Sequence, residues 1–164
     1  MPIVLIRIDE RLIHGQVVIG WANQLRPDRY VVVDDDLAKS RWEQDLYRLG
    51  AGGVEANFVP SAEAPSRLAE WRDAPERTIL LTRDVGTMRR LAEGGGLAGE
   101  AVVVGGVHHG PGRREALTYV HLTEHEMQDL ESIAAGGSDV YSRDLPDAPR
   151  VDLDVLKRRW KSSS

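Results

Sequence analysis

The sequence predicts one α/β domain with a mostly parallel central β-sheet, helices on both faces and an active-site loop at the C-terminal edge of the strands. Three observations carry this. β-Branched runs alternate with amphipathic segments in four successive strand–helix units, a series that builds a parallel sheet through right-handed crossovers. A chain of 164 residues with 41% hydrophobic content supports one substantial core and not two. Aromatic residues make only 5%, so Val, Leu, Ile and Ala must fill that core, as in a sheet flanked by helices.

The first unit is "PIVLIRI", a short run of buried-strand type, followed by "GQVVIGWANQL", which places Val17, Val18, Trp21 and Leu25 at helical spacing. In the second, "RYVVVDD" ends in acid, Asp36 is placed to cap, and "LAKSRWEQDLYRLG" sets Leu37, Trp42, Leu46 and Leu49 on a helix that Gly50 stops. "VEANFVP" with "SAEAPSRLAEWRD", and "RTILLT" with "RDVGTMRRLAEGGG", repeat the scheme. "AVVVGG" is a fifth strand and "TYVHL" a short sixth. Thr123 and Glu126 form a capping box at the start of "HEMQDLESIAAGG". "DVYSRDLP" reads as a last strand, and residues 151–164 as a short terminal helix with a frayed basic, serine-ended tail. No repeat or long linker divides the chain, so residues 1–164 are read as a single domain.

A formal net charge of −5 gives no reason to expect nucleic acid or an anionic membrane as partner, because both are bound chiefly through excess Lys and Arg. The absence of cysteine excludes disulfides, thiolate zinc sites and a cysteine nucleophile, and suits a reducing cytoplasm. "MPIVLIRIDE" turns acidic after a few apolar residues and does not read as a signal peptide, and no stretch reaches the roughly 20 apolar residues of a membrane-spanning helix.

In a parallel sheet the strand C-termini share one edge, where ligands bind. Three polar clusters follow strands directly: "DERLIH", "DDD" at 34–36 and "GGVHHGPGRR" from Gly105. His14 precedes Gly15, a first helical residue, so it faces backbone N–H groups that lack an intrahelical partner and favour an anion. Gly15 lets such an anion approach the backbone, and Arg11 adds a planar fork suited to phosphoryl oxygens. The plainer alternative is local capping and pairing. A neutral imidazole nitrogen serves as nucleophile, base or metal ligand, and one of Asp9, Asp34 and Asp35 would fix its tautomer by accepting the other ring N–H, with at least two of the acids at 34–36 serving instead as turn or cap residues. The glycine loop lacks both the dinucleotide and the Walker A patterns. Its amides, with Arg113 or Arg114, would instead line the His14 pocket. His108 and His109 diverge in an extended segment and cannot easily share one metal, so no metal is expected.

"RIDERLIHGQV" resembles the signature of the IIB component of the mannose/fructose/sorbose class of the bacterial sugar phosphotransferase system (PTS). "VVVDDDLAKS", "VVVGGVHHGPGRR" and "YVHLTEHEMQDLESIAAGGSDVYSRDLP" extend the resemblance over nearly the whole chain, with Val103 and His109 as departures from its common pattern. The resemblance implies a cytoplasmic phosphocarrier, peripheral to a membrane permease and without a cofactor. His14 would accept a phosphoryl group from a IIA protein and pass it to a sugar entering through IIC and IID subunits, the chain acting as a protein-N(pi)-phosphohistidine–sugar phosphotransferase component. Arg11 would stabilise the charge, Asp9, Gly15 and Gln16 would line the loop, and Asp34, Asp35, Gly105, Gly106 and His108 would form further walls. His14 is expected at the surface, in a flat rim open to each partner. The alternatives are a regulatory phosphorylatable module and a His/Asp metal-assisted hydrolase, and a homo-oligomer is compatible with any of these.

Overall fold

The computed structural model describes residues 2–163, except for the side chain of residue 16. Six parallel strands and one short antiparallel edge strand form the main sheet. In chain order these are β1 (Ile3–Ile8), β2 (Arg29–Val33), β3 (Glu55–Val59), β4 (Thr78–Thr82), β5 (Ala101–Val104), β8 (Asp139–Ser142) and β9 (Val151–Asp152). Their spatial order is β3-β2-β4-β1-β5-β8-β9. β6 (Arg114–Leu117) and β7 (Val120–Leu122) form a separate antiparallel pair.

The expected "TYVHL" strand is therefore β7, and it lies outside the main sheet. β6 and β9 were not anticipated from the sequence. The expected terminal helix is present over Leu153–Ser162 and runs through the basic stretch expected to fray, because Leu156 and Trp160 are buried and the Trp160 indole donates to Leu122 C=O at 2.8 Å.

Alternation along the strands divides the interior in two. Ile6, Ile8, Val31, Val33, Leu80 and Val104 face a large core completed by α3 (Ala64–Asp73), α4 (Val85–Ala92), α5 (Glu124–Ala135) and α6 (Leu153–Ser162). Leu5, Tyr30, Val32, Ile79, Leu81 and Val103 face a smaller core. That second face is covered by α1 and by α2 (Arg41–Gly50), where α1 has π-type hydrogen bonding over Gln16–Ala22 and continues as α-helix over Asn23–Leu25. The loop after β1 thus turns to one face, while α4, after β4, lies on the other. Such divergence opens a crevice at the strand ends.

Two caps match the local code. Asp84 accepts from Thr87 N–H at the head of α4, and Thr123 and Glu126 complete the capping box of α5. The expected Asp36 cap is corrected: Asp34 accepts the Leu37 N–H at 3.0 Å, and Leu37 is buried in a separate 3₁₀ turn ahead of α2. The orientation of α2 is corrected as well. Gln44 and Tyr47 face the sheet side, Gln44 donating to Leu37 C=O at 2.7 Å and Tyr47 lying 6.3 Å from the Phe58 ring. Trp42, Leu46 and Leu49 point to solvent.

Candidate functional site

The three polar clusters meet at one edge because β1, β2 and β5 are parallel and end there. Backbone bonds stitch two of the loops together: Gly105 N–H donates to Ile8 C=O at 2.7 Å and Glu10 N–H to Gly106 C=O at 2.8 Å. Between Asp9 and His14 the chain passes through Leu12 at φ 56° and buries that side chain completely. A left-handed turn at a leucine is unfavourable, and the buried side chain anchors it there. The first i→i−4 bond of α1 runs from Val18 N–H to His14 C=O at 2.8 Å, so His14 heads the helix.

Asp9 is the hub. Its fully buried carboxylate accepts from Arg11 N–H at 3.0 Å, from the Arg11 guanidinium at 3.1 and 3.2 Å, and from Gly106 N–H at 3.2 Å. His14 Nε2 lies 3.3 Å from Asp9 Oδ2. Arg7, also fully buried, approaches the same oxygen at 3.4 Å. Burial opposes ionisation of Asp9, but the hydrogen bonds from His14 and Arg11 and the charge of Arg7 outweigh it and hold the carboxyl well below the usual carboxylate range. The three candidate acids are thereby reduced to one for the imidazole.

The two glycines of the 105–106 loop are explained by these arginines. A Cβ on Gly105 would stand 2.5–2.7 Å from the Arg7 guanidinium, and one on Gly106 would stand 2.9–3.2 Å from that of Arg11. Each guanidinium thus lies flat on backbone that only glycine leaves bare. Arg7 extends the network further, donating to Arg143 C=O at 2.7 Å and Asp144 C=O at 3.0 Å while its guanidinium carbon sits 5.2 Å from the Trp21 ring. The sequence reading missed Arg7. Its only signal was a cation inside the apolar run "IVLIRI".

The remaining expected residues divide. His14 is 15% exposed at its side chain, lower in the surface than the open rim expected, and Arg11 is 34% exposed beside it. Gly15 faces open space, so an anion can reach the leading amides of α1. The side chain of Gln16 lies outside the described residues. Asp34 spends its carboxylate on Leu37 N–H and on Arg83 at 3.2 Å. Asp35 spends its own on the Ser61 N–H and hydroxyl, which with Arg90 lower its pKa. Both stand at the end of β2, separated from β1 by β4.

His108 is half exposed, and its backbone N–H donates to Glu10. Arg113 bridges Glu10 at 2.9 Å and Glu126 at 2.9 Å, and Arg114 stacks 3.8 Å from the Trp160 ring, so neither charge serves His14 as expected. Among the described residues, no group of three or more His, Asp and Glu side chains gathers as a metal site. No helix of the described residues is long and apolar enough to cross a membrane.

Residues 3–163 match the family model described as PTS system sorbose subfamily IIB component. The chain is 32% identical to the N-acetylgalactosamine-specific phosphotransferase enzyme IIB component 1 of Escherichia coli K12, over 88% of this chain and 91% of that protein. It is 30% identical to the mannose-specific EIIAB component of the same organism over 96% of this chain, which spans about half (49%) of that longer protein. The crystal structure of manxB from Thermoanaerobacter tengcongensis superposes with a TM-score of 0.84 at 30% identity, covering 96% of each chain.

Proposed function

We propose, because this chain belongs to the PTS system sorbose subfamily of IIB components and so takes part in phosphotransfer coupled to sugar uptake, that His14 is its phosphoryl-carrying residue. The observation that carries the proposal is the engagement of His14 Nε2 by the Asp9 carboxylate at the head of α1, with the Arg11 fork alongside. A ring that donates Nε2–H to Asp9 attacks through Nδ1. The Nδ1 lone pair forms the new N–P bond as the N–P bond to a histidine of a IIA donor breaks. The ring then bears positive charge, which the ionised Asp9 stabilises as a triad carboxylate does. In the second step a sugar hydroxyl attacks phosphorus, giving its proton to solvent as the O–P bond forms and the Nδ1–P bond breaks, and the ring leaves as neutral imidazole with its Nε2–H still on Asp9.

Phosphoryl transfer through a loose transition state requires placement and charge stabilisation more than covalent machinery. Arg11 and the leading amides of α1 are positioned to supply both. Arg11 holds Asp9 through Nε and Nη2, so Nη1 is the nitrogen that would meet the phosphoryl oxygens. The protein acts in the cytoplasm, docking in turn on a IIA protein and on IIC and IID subunits of a permease.

The test is label transfer from a phosphorylated IIA protein. The wild type acquires acid-labile phosphate, His14→Ala acquires none, and nitrogen NMR of the phosphoprotein places the phosphate on Nδ1. Label retained by His14→Ala would end the proposal.

A further inference from the structure

At the edge that carries His14, Arg11 and Arg83 are anchored in the same way. Asp9 pairs with Nε of Arg11 at 3.1 Å, and Asp34 pairs with Nε of Arg83 at 3.2 Å. Both carboxylates are buried, whereas the two arginine side chains are 34 and 39% exposed. Arg11 already serves the transfer described above; Arg83 has no role in it.

The strand register sets where Arg83 stands. Leu81 of β4 is paired with Arg7 of β1 on one side and with Val32 of β2 on the other. Two residues further on, each strand returns to the same face, so Asp9, Arg83 and Asp34 form one row across the three strand ends. Asp9 N–H donates to Thr82 C=O at 2.9 Å, which keeps Arg83 beside Asp9 at the strand spacing of about 4.8 Å. The row lies on the face that α1 covers, because Leu81 and Val32 belong to the core beneath that helix. Arg11 rests on Gly106, beyond the end of β5, and β1 lies between β5 and β4. The two cations therefore flank the strand end whose Asp9 holds His14.

We propose that Arg83 is a second phosphoryl-binding residue, donating from Nη1 and Nη2 to the equatorial oxygens from the β4 side while Arg11 donates from the β5 side. This rests on the reading that His14 carries the phosphoryl group. Charge argues for a second cation: the loose transition state spreads negative charge over three oxygens, and Arg11 already shares Asp9 with Arg7. The state of Arg83 suits the task. Its Nε is buried against Asp34, so its exposure belongs to the rest of the side chain, and neither Nη makes a hydrogen bond among the described residues. Anchoring at Nε also reduces the freedom that the fork loses when an anion arrives.

Two measurements on Arg83→Gln and Arg83→Lys test this: the rate of label transfer from a phosphorylated IIA protein as its concentration is varied, and a phosphorus NMR titration of the phosphorylated chain. In Arg83→Gln the maximal rate falls by about tenfold to a hundredfold, as for loss of a donor to developing charge, and the half-saturating donor concentration stays that of the wild type. Arg83→Lys recovers part of the rate, since it keeps the charge without the fork. The phosphoryl group titrates at higher pH in Arg83→Gln, because a neighbouring cation favours its dianion. A wild-type maximal rate in Arg83→Gln, with any change confined to the half-saturating concentration, would make Arg83 a docking contact and overturn the proposal. An unmoved phosphoryl titration would overturn it too. Either result leaves His14 as the carrier, whereas label retained by His14→Ala would end both readings.

Discussion

Asp9 Oδ2 stands 3.3 Å from His14 Nε2 while the same carboxylate is gripped by Arg11 and approached by Arg7, so one buried anion orients the imidazole and is shared between two cations. Removing its charge should therefore be felt twice. Asp9→Asn is expected to lower stability by about 3 kcal/mol, the cost of leaving a buried arginine without its counter-ion. It should also slow phosphorylation of His14 by about tenfold to a hundredfold, as loss of a group that orients a reactive side chain does. Denaturant unfolding reads the first effect and label transfer under folding conditions the second.

The depressed pKa of Asp9 sets a pH window. Below its unfolded value of about 3.9 the unfolded chain binds the proton first, so stability falls as the medium becomes more acidic and the stabilisation disappears only in strong acid. Above that value the contribution is complete and flat. Thermal unfolding followed from neutral pH down to pH of about 3 should show a decline that is shallower in Asp9→Asn. An unchanged slope in that variant would remove Asp9 from the account.

Alanine at Gly105 and Gly106 should separate stability from chemistry. At Gly105 the new methyl meets the fully buried Arg7 guanidinium, which has no room to yield, and a loss of about 1–3 kcal/mol is expected. At Gly106 it meets the partly exposed Arg11, which can swing outward. Gly106→Ala should leave the unfolding midpoint nearly unchanged and slow phosphotransfer. The reverse order of effects would contradict the stacking geometry.

Glu10 ties the glycine loop down by accepting from the His108 N–H and from Arg113. Glu10→Ala should raise hydrogen exchange at residues 107–109. Because the Glu10–Arg113 pair is partly solvated, global stability should change by about 1 kcal/mol or less.

The sheet, the shared edge and the meeting of Asp9, Arg11 and His14 were legible in the sequence because they depend on local period and on residues within one loop. Arg7 was not, since its backbone acceptors lie on residues 143 and 144, at the far end of the chain. Periodicity revealed the stripe on α2 but not its direction: spacing shows that a helix has two unlike faces, and only packing decides which of them meets the sheet. The acids at 34–36 were read as one orienting group at most with the others in turns and caps, and Asp34 and Asp35 hold such local roles. Their position at a strand end is shared by functional and capping carboxylates, and only the partners Leu37, Ser61 and Arg83 tell them apart.

The grip of Arg143 and Asp144 on Arg7 also orders assembly in time. The loop that carries His14 precedes residues 143 and 144 by more than a hundred positions, and the carbonyls that seat its neighbouring buried arginine arrive only when β8 has been laid beside β5. A nascent or truncated chain ending before that strand holds His14 and Asp9 without the carbonyls that seat Arg7 beside them, so the geometry of the loop reports the pairing of β8.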